Sequence, residues 1–87
     1  MVLRELEVKK ADGVSSADAQ TIVHRAMRYD SEIFFEWRGR KVNAKSLMGV
    51  VSMALKCGDK VMAIIKGEDQ DEAVEDMDGL FARGFKN

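Results

Sequence analysis

Ser46 stands directly before a nearly unbroken apolar run, NAKSLMGVVSMAL over residues 43–55. A serine hydroxyl in that place has two chemical uses. It can cap a helix by accepting from the free amides of the first turn. It can also carry a phosphate, because those amides and the helix dipole favour an anion. Phosphorylation would add about −1.5 to −2 charges beside an oily surface without unfolding the domain. Lys45, Arg40 and Lys41 are near in sequence as cations for such a group.

The remaining candidates for chemistry are few. Ser15 and Ser16 precede an apolar pattern of helical period, and either can cap it. Asp18, three residues after Ser15, suits the positive end of that helix. His24 lies about two turns further on, beside Val23 and Met27, and reads as a surface or half-buried structural residue. Cys57 sits between Lys56 and Gly58 at a helix end, where nothing stabilises a thiolate. One histidine and one cysteine far apart make no zinc site, and no phosphate-cradling glycine motif is present. No cofactor and no metal is implied.

Elements of both kinds must position these groups. Residues 2–8 alternate as a strand, with Val2, Arg4, Leu6 and Val8 on one face and Leu3, Glu5 and Glu7 on the other. A loop turning at Gly13 leads to a helix over residues 16–29, whose stripe is Ala19, Ile22, Val23, Ala26 and Met27. IFFEW at 33–37 and RKVN at 40–43 read as a hairpin turning at Arg38-Gly39. A second helix begins at Ser46 and ends before Gly58. VMAIIK at 61–66 is a further strand. The acidic run GEDQDE then opens a last helix with Ala73, Val74, Met77, Leu80 and Phe81 on one stripe, stopping at Gly84. The order β-α-β-β-α-β-α, with three helices on one face of a four-stranded antiparallel sheet, is an α+β open-faced sandwich.

The second helix is apolar on too many sides. Leu47, Val50, Val51 and Ala54 can share one stripe, leaving Met48 with Met53 or Leu55 pointing elsewhere. Either the helix is simply well buried, or its Met and Leu residues form a docking site. The docking reading puts Leu47, Met48 and Val51 on the partner's side.

Composition sets the outer bounds. The chain has 87 residues, 46% hydrophobic and 33% charged, with no proline and a formal net charge of −1. That fits one domain over residues 1–87 and argues against a nucleic-acid binder. No stretch approaches the roughly 20 apolar residues that cross a bilayer. Charge arrives too early in MVLRELEVKK for a signal peptide, and a lone cysteine fits a reducing cytoplasm.

VNAKSLMGVVS resembles the regulatory-serine motif of the HPr family, the small phosphocarrier proteins of the bacterial sugar phosphotransferase system. RYDSEI, RGRKVN and the GEDQDEA entry to the last helix extend the likeness over nearly the whole chain. The resemblance implies the open-faced β-sandwich already inferred. It also implies that Ser46 matches the serine phosphorylated by a dedicated ATP-dependent HPr kinase/phosphorylase.

The family's other hallmark, G-[IL]-H-A-R-P, is missing: residues 13–18 read GVSSAD. Ser15 falls on the phosphoacceptor histidine, Ala17 on the arginine and Asp18 on the proline. A serine ester would be stable where the family needs a labile N–P bond, and no base is present to form it. The bidentate phosphate partner is gone. A carboxylate would repel an incoming phosphoryl group. This degenerate site points away from carrier activity.

The Crh subgroup of the family likewise lacks the histidine and keeps the serine, and acts with the regulator CcpA. The resemblance therefore implies a Crh-like, non-enzymatic protein of carbon catabolite regulation, with a CcpA-like partner. The departures at Ala17 and Asp18 bear on that docking. Two alternatives stand: a phosphocarrier with an atypical acceptor, and an interaction module with no phosphorylation.

A second surface is expected on the open face of the sheet. In the family's strand order Leu3, Met62, Ile64 and Phe34 lie side by side, with Glu5, Glu7 and Glu36 around them. A contiguous patch there would indicate a homodimer, through the sheet face or by strand exchange.

Overall fold

A computed structural model describes residues 1–86. The elements are β1 (Val2–Glu7), α1 (Ser16–Ala26), β2 (Glu32–Trp37), β3 (Arg40–Asn43), α2 (Leu47–Ser52), β4 (Lys60–Lys66) and α3 (Gln70–Ala82). The four strands pair antiparallel in the order β1-β4-β2-β3. The helices cover one face, so the expected α+β open-faced sandwich is the fold.

Strand alternation decides what is buried. Leu6, Val61, Ala63, Ile65, Ile33, Phe35 and Val42 point to the helices and are buried. Ala19, Ile22, Val23 and Ala26 of α1 face them, with Ala73, Val74, Met77, Leu80 and Phe81 of α3. Phe81 joins the layers, lying edge-on to Phe35 at 5.8 Å and to Phe85 at 4.9 Å.

The turn chemistry follows the sequence closely. Arg38 and Gly39 both take positive φ, 49° and 76°, the twist a two-residue hairpin needs. Gly84 (φ 65°) ends α3: its amide donates to Phe81 O and that of Phe85 donates to Leu80 O.

Two carboxylates fasten the helices. Asp76 of α3 accepts from the Tyr29 hydroxyl at 2.6 Å and from the Arg25 guanidinium, tying α3 to the end of α1. Burial, then the Asp76 carboxylate, push the Tyr29 phenol up to about 12. Asp69, at the entry to α3, accepts from the amides of Asp30 and Ser31 and from the buried Ser31 hydroxyl.

Both shorter helices stop earlier than the residue pattern suggests. α1 ends at Ala26, and Met27, expected on its buried stripe, is 63% exposed. α2 has only six residues: Met53 is its C-cap, and Ala54 turns out of it with φ 48°.

Candidate functional site

Two helix entrances carry the groups singled out by their chemistry. At the first, Ser15 is the N-cap of α1, with extended backbone angles. Its hydroxyl accepts from the Asp18 amide at 3.1 Å, while the Asp18 carboxylate accepts from the Ser15 amide at 3.0 Å. This capping box satisfies both orphan donors from within the chain. Lys10 Nζ donates to the same carboxylate at 2.7 Å. Burial would raise the Asp18 carboxyl, but Lys10 and the Ser15 hydrogen bonds outweigh it and hold it below the usual carboxylate range.

The loop before this entrance packs closely against residues 55–56. Val14 donates its amide to Leu55 O at 3.0 Å. Gly13 (φ 77°) lies so close that a Cβ would meet Leu55 O at 2.6 Å. Ala17 offers only a methyl group, and His24 lies in the last turn of α1, at the other end from Ser15. The entrance thus has a fixed internal anion, and that carboxylate is already engaged by Lys10 and by the Ser15 amide.

The second entrance is open. Ser46 is exposed and caps α2, its hydroxyl accepting from the Gly49 amide at 3.2 Å. Glycine is required at 49 by close approach: a Cβ there would meet the Val42 side chain at 2.7 Å. Leu47, Met48 and Val51 are 38%, 79% and 42% exposed, side by side on the outer flank of α2.

The buried side of α2 differs from expectation. Leu47, Val50, Val51 and Ala54 do not form the inward stripe; only Val50 of these is buried, with Met53 and Leu55. The short helix is the reason. After Met53 the chain leaves helical geometry, so Leu55 reaches the core from a turn.

The cations near Ser46 in sequence are engaged elsewhere. Lys45 Nζ donates to Tyr29 O at 2.7 Å. Lys41 lies over the Phe34 ring on the open side of the sheet, 4.7 Å from its centroid. Arg40 binds the far end of α2, donating to Ser52 Oγ at 2.8 Å and Ser52 O at 3.3 Å. This link spans twelve positions, and no sequence signal announces it.

The open face collects the residues expected there. Leu3 and Phe34 flank Ile64 in one row, and Glu5 and Glu36 flank Met62 in the next. Leu3 is 56% exposed, while Phe34, Met62 and Ile64 are half-buried. Cys57 is exposed, its Sγ 3.9 Å from Lys9 O. The structure brings neither it nor His24 into either entrance.

Comparison with known proteins places this geometry. Residues 2–83 match the family model described as the PTS HPr component phosphorylation site. Over 75 residues the chain is 44% identical to the HPr-like protein Crh of Halalkalibacterium halodurans, covering 86% of this chain and 89% of that protein. The phosphocarrier protein HPr of Treponema pallidum is 36% identical over 86 residues, with 99% and 98% covered. Among solved structures, HPr-C-His from Thermoanaerobacter tengcongensis superposes with a TM-score of 0.92 at 32% identity, over 98% of this chain and 96% of that one. The crystal structure of Bacillus subtilis Crh, a catabolite-repression protein seen as a dimer with a swapped domain, gives 0.76 at 37% identity with both chains fully covered. Among the described residues no helix is long and apolar enough to cross a membrane.

Proposed function

The chain belongs to the HPr family of the phosphotransferase system, and we propose that within it this protein is a cytoplasmic regulator, not a carrier or an enzyme. Its switch is Ser46. An ATP-dependent serine kinase transfers the γ-phosphoryl group to the Ser46 oxygen, the hydroxyl proton leaves to the kinase's base, and ADP is released. The phosphate then sits at the start of α2, close to the Gly49 amide that the hydroxyl already engages. The partner surface is Leu47, Met48 and Val51, now bordered by a lasting negative charge.

One observation carries this reading: the Ser15 hydroxyl is taken up in a capping box whose other member is a carboxylate paired to Lys10. A phosphoryl group arriving there meets an anion, and the nearby cation, Lys10, is already paired to it. The likeness to Crh, the catabolite-repression protein of B. subtilis, supports a role in catabolite regulation, and the reader of phosphorylated Ser46 in this proposal is a CcpA-like regulator. Self-association is part of the proposal. β1 is an edge strand, the kind of element two copies can pair or exchange, and the Crh dimer of B. subtilis has a swapped domain.

The experiment is a paired labelling. ATP with the family's serine kinase should add one phosphate at Ser46, and phosphoenolpyruvate with enzyme I should add none. The reverse pattern would make the protein a carrier.

A further inference from the structure

We propose that Arg40 is a preset docking cation, and that the kinase acting on Ser46 grips the exposed flank of α2 and meets Arg40 with a carboxylate. The inference rests on the Ser46 reading above and adds the charge its partner must present.

Arg40 is held rather than free. Its guanidinium donates to Ser52 Oγ and Ser52 O, and the Ser52 hydroxyl donates onward to Gly49 O at 2.7 Å. A guanidinium has five donors, so others remain for a partner. The ion pairs of the described residues are Arg4–Asp78, Lys10–Asp18 and Arg25–Asp76. Among the described residues Arg40 has no carboxylate paired to it. It lies at the C-terminal end of α2, where the helix dipole favours a cation. Its neighbours on the hairpin differ, since Arg38 lies over the Trp37 ring and Lys41 over Phe34.

Ser52 directly follows Val51 and lies one turn beyond Met48, so the fixed guanidinium is at the Val51 end of the docking flank. Ser46 lies at the opposite end of the helix, about 9 Å away at 1.5 Å per residue. Arg40 therefore serves neither a phosphate on Ser46 nor a nucleotide phosphate aimed at that hydroxyl. What remains is charge complementarity with the protein covering the flank: an apolar recess with a carboxylate at its edge. Because the guanidinium is already ordered, such a contact loses less side-chain freedom than a loose lysine would.

Initial rates of Ser46 phosphorylation test this, using the full chain, ATP and the family's serine kinase at low and high salt. Arg40→Glu should lower kcat/KM about tenfold, mainly through KM, as expected for a charge at the edge of an interface. Arg40→Lys should fall between, and Arg40→Ala should lose part of the salt dependence. Arg38→Ala should match wild type. Rates for Arg40→Ala and Arg40→Glu equal to wild type would overturn the inference while leaving the Ser46 reading intact. A wild-type chain that takes no phosphate would overturn both. Should Arg40→Glu melt early, the alanine and lysine variants carry the readout.

Discussion

Ser15 and Asp18 cap each other, hydroxyl to amide at 3.1 Å and amide to carboxylate at 3.0 Å. The pair closes the first entrance with the chain's own groups. A structural serine here should behave as one. Ser15→Ala should cost about 1 kcal/mol of stability, lowering Tm by about 4–8 °C for a domain of this size. Phosphorylation of Ser46 should not change. Thermal melting and mass spectrometry of the same variant check both halves.

The acid limb of stability should depend on Asp18 and Asp69. Both carboxyls are lowered in the fold. At Asp18 burial opposes the shift, but Lys10 and Ser15 outweigh it; at Asp69 the Ser31 hydroxyl leads, followed by the Asp30 amide. A lowered folded value means the unfolded chain binds protons first as pH falls. Their contribution is thus complete above the ordinary carboxylate value near 4 and is lost as pH drops through the lowered ones. Denaturant melts of Asp18→Asn and Asp69→Asn should show a flatter decline below that point.

At the alkaline end Tyr29 acts in the opposite sense. Its phenol is raised from 10.0 to about 12 by burial and then by Asp76. The folded chain keeps its proton longer, so this contribution is full below pH 10 and fades toward about 12. Tyr29→Phe should lose that alkaline slope in a pH series of thermal melts.

The two sides of α2 should separate in mutants. Met53 is 1% exposed, and Met53→Ala should cost about 2–5 kcal/mol. Leu47→Ala, Met48→Ala and Val51→Ala should each stay near ±0.5 kcal/mol, as expected for surface positions, yet slow the serine kinase. Chemical denaturation beside phosphorylation rates distinguishes the two sets.

Self-association should appear as a dimer in sedimentation at micromolar concentration. Deleting the exposed Leu3 side chain or blocking the β1 edge with a proline tells the sheet face from the strand edge. A monomer at every concentration would remove the homodimer.

Much of this was readable in the residues. Alternation in VLRELEV and VMAIIK, the Arg38-Gly39 turn and the Ser15–Asp18 spacing are local patterns, and each became the structure it implied. The end of α2 was not readable. Its apolar run has one polar residue, Ser52, and resumes with Met53, Ala54 and Leu55, and the turn out of the helix occurs at Ala54, which takes a positive φ that nothing in an alanine announces. The cations were equally illegible. Lys45 and Arg40 both precede Ser46 closely in sequence, but long side chains go where acceptors are, and the acceptors are Tyr29 O and Ser52.

The most direct test labels one preparation two ways and locates the phosphate. With serine kinase and ATP, intact mass should rise by one phosphate that survives acid, and fragmentation should place it on Ser46. With enzyme I and phosphoenolpyruvate no phosphate should appear, while an authentic HPr in the same tube is labelled. An acid-labile phosphate from enzyme I, or an unmodified Ser46 after the kinase has labelled that HPr, would contradict the account.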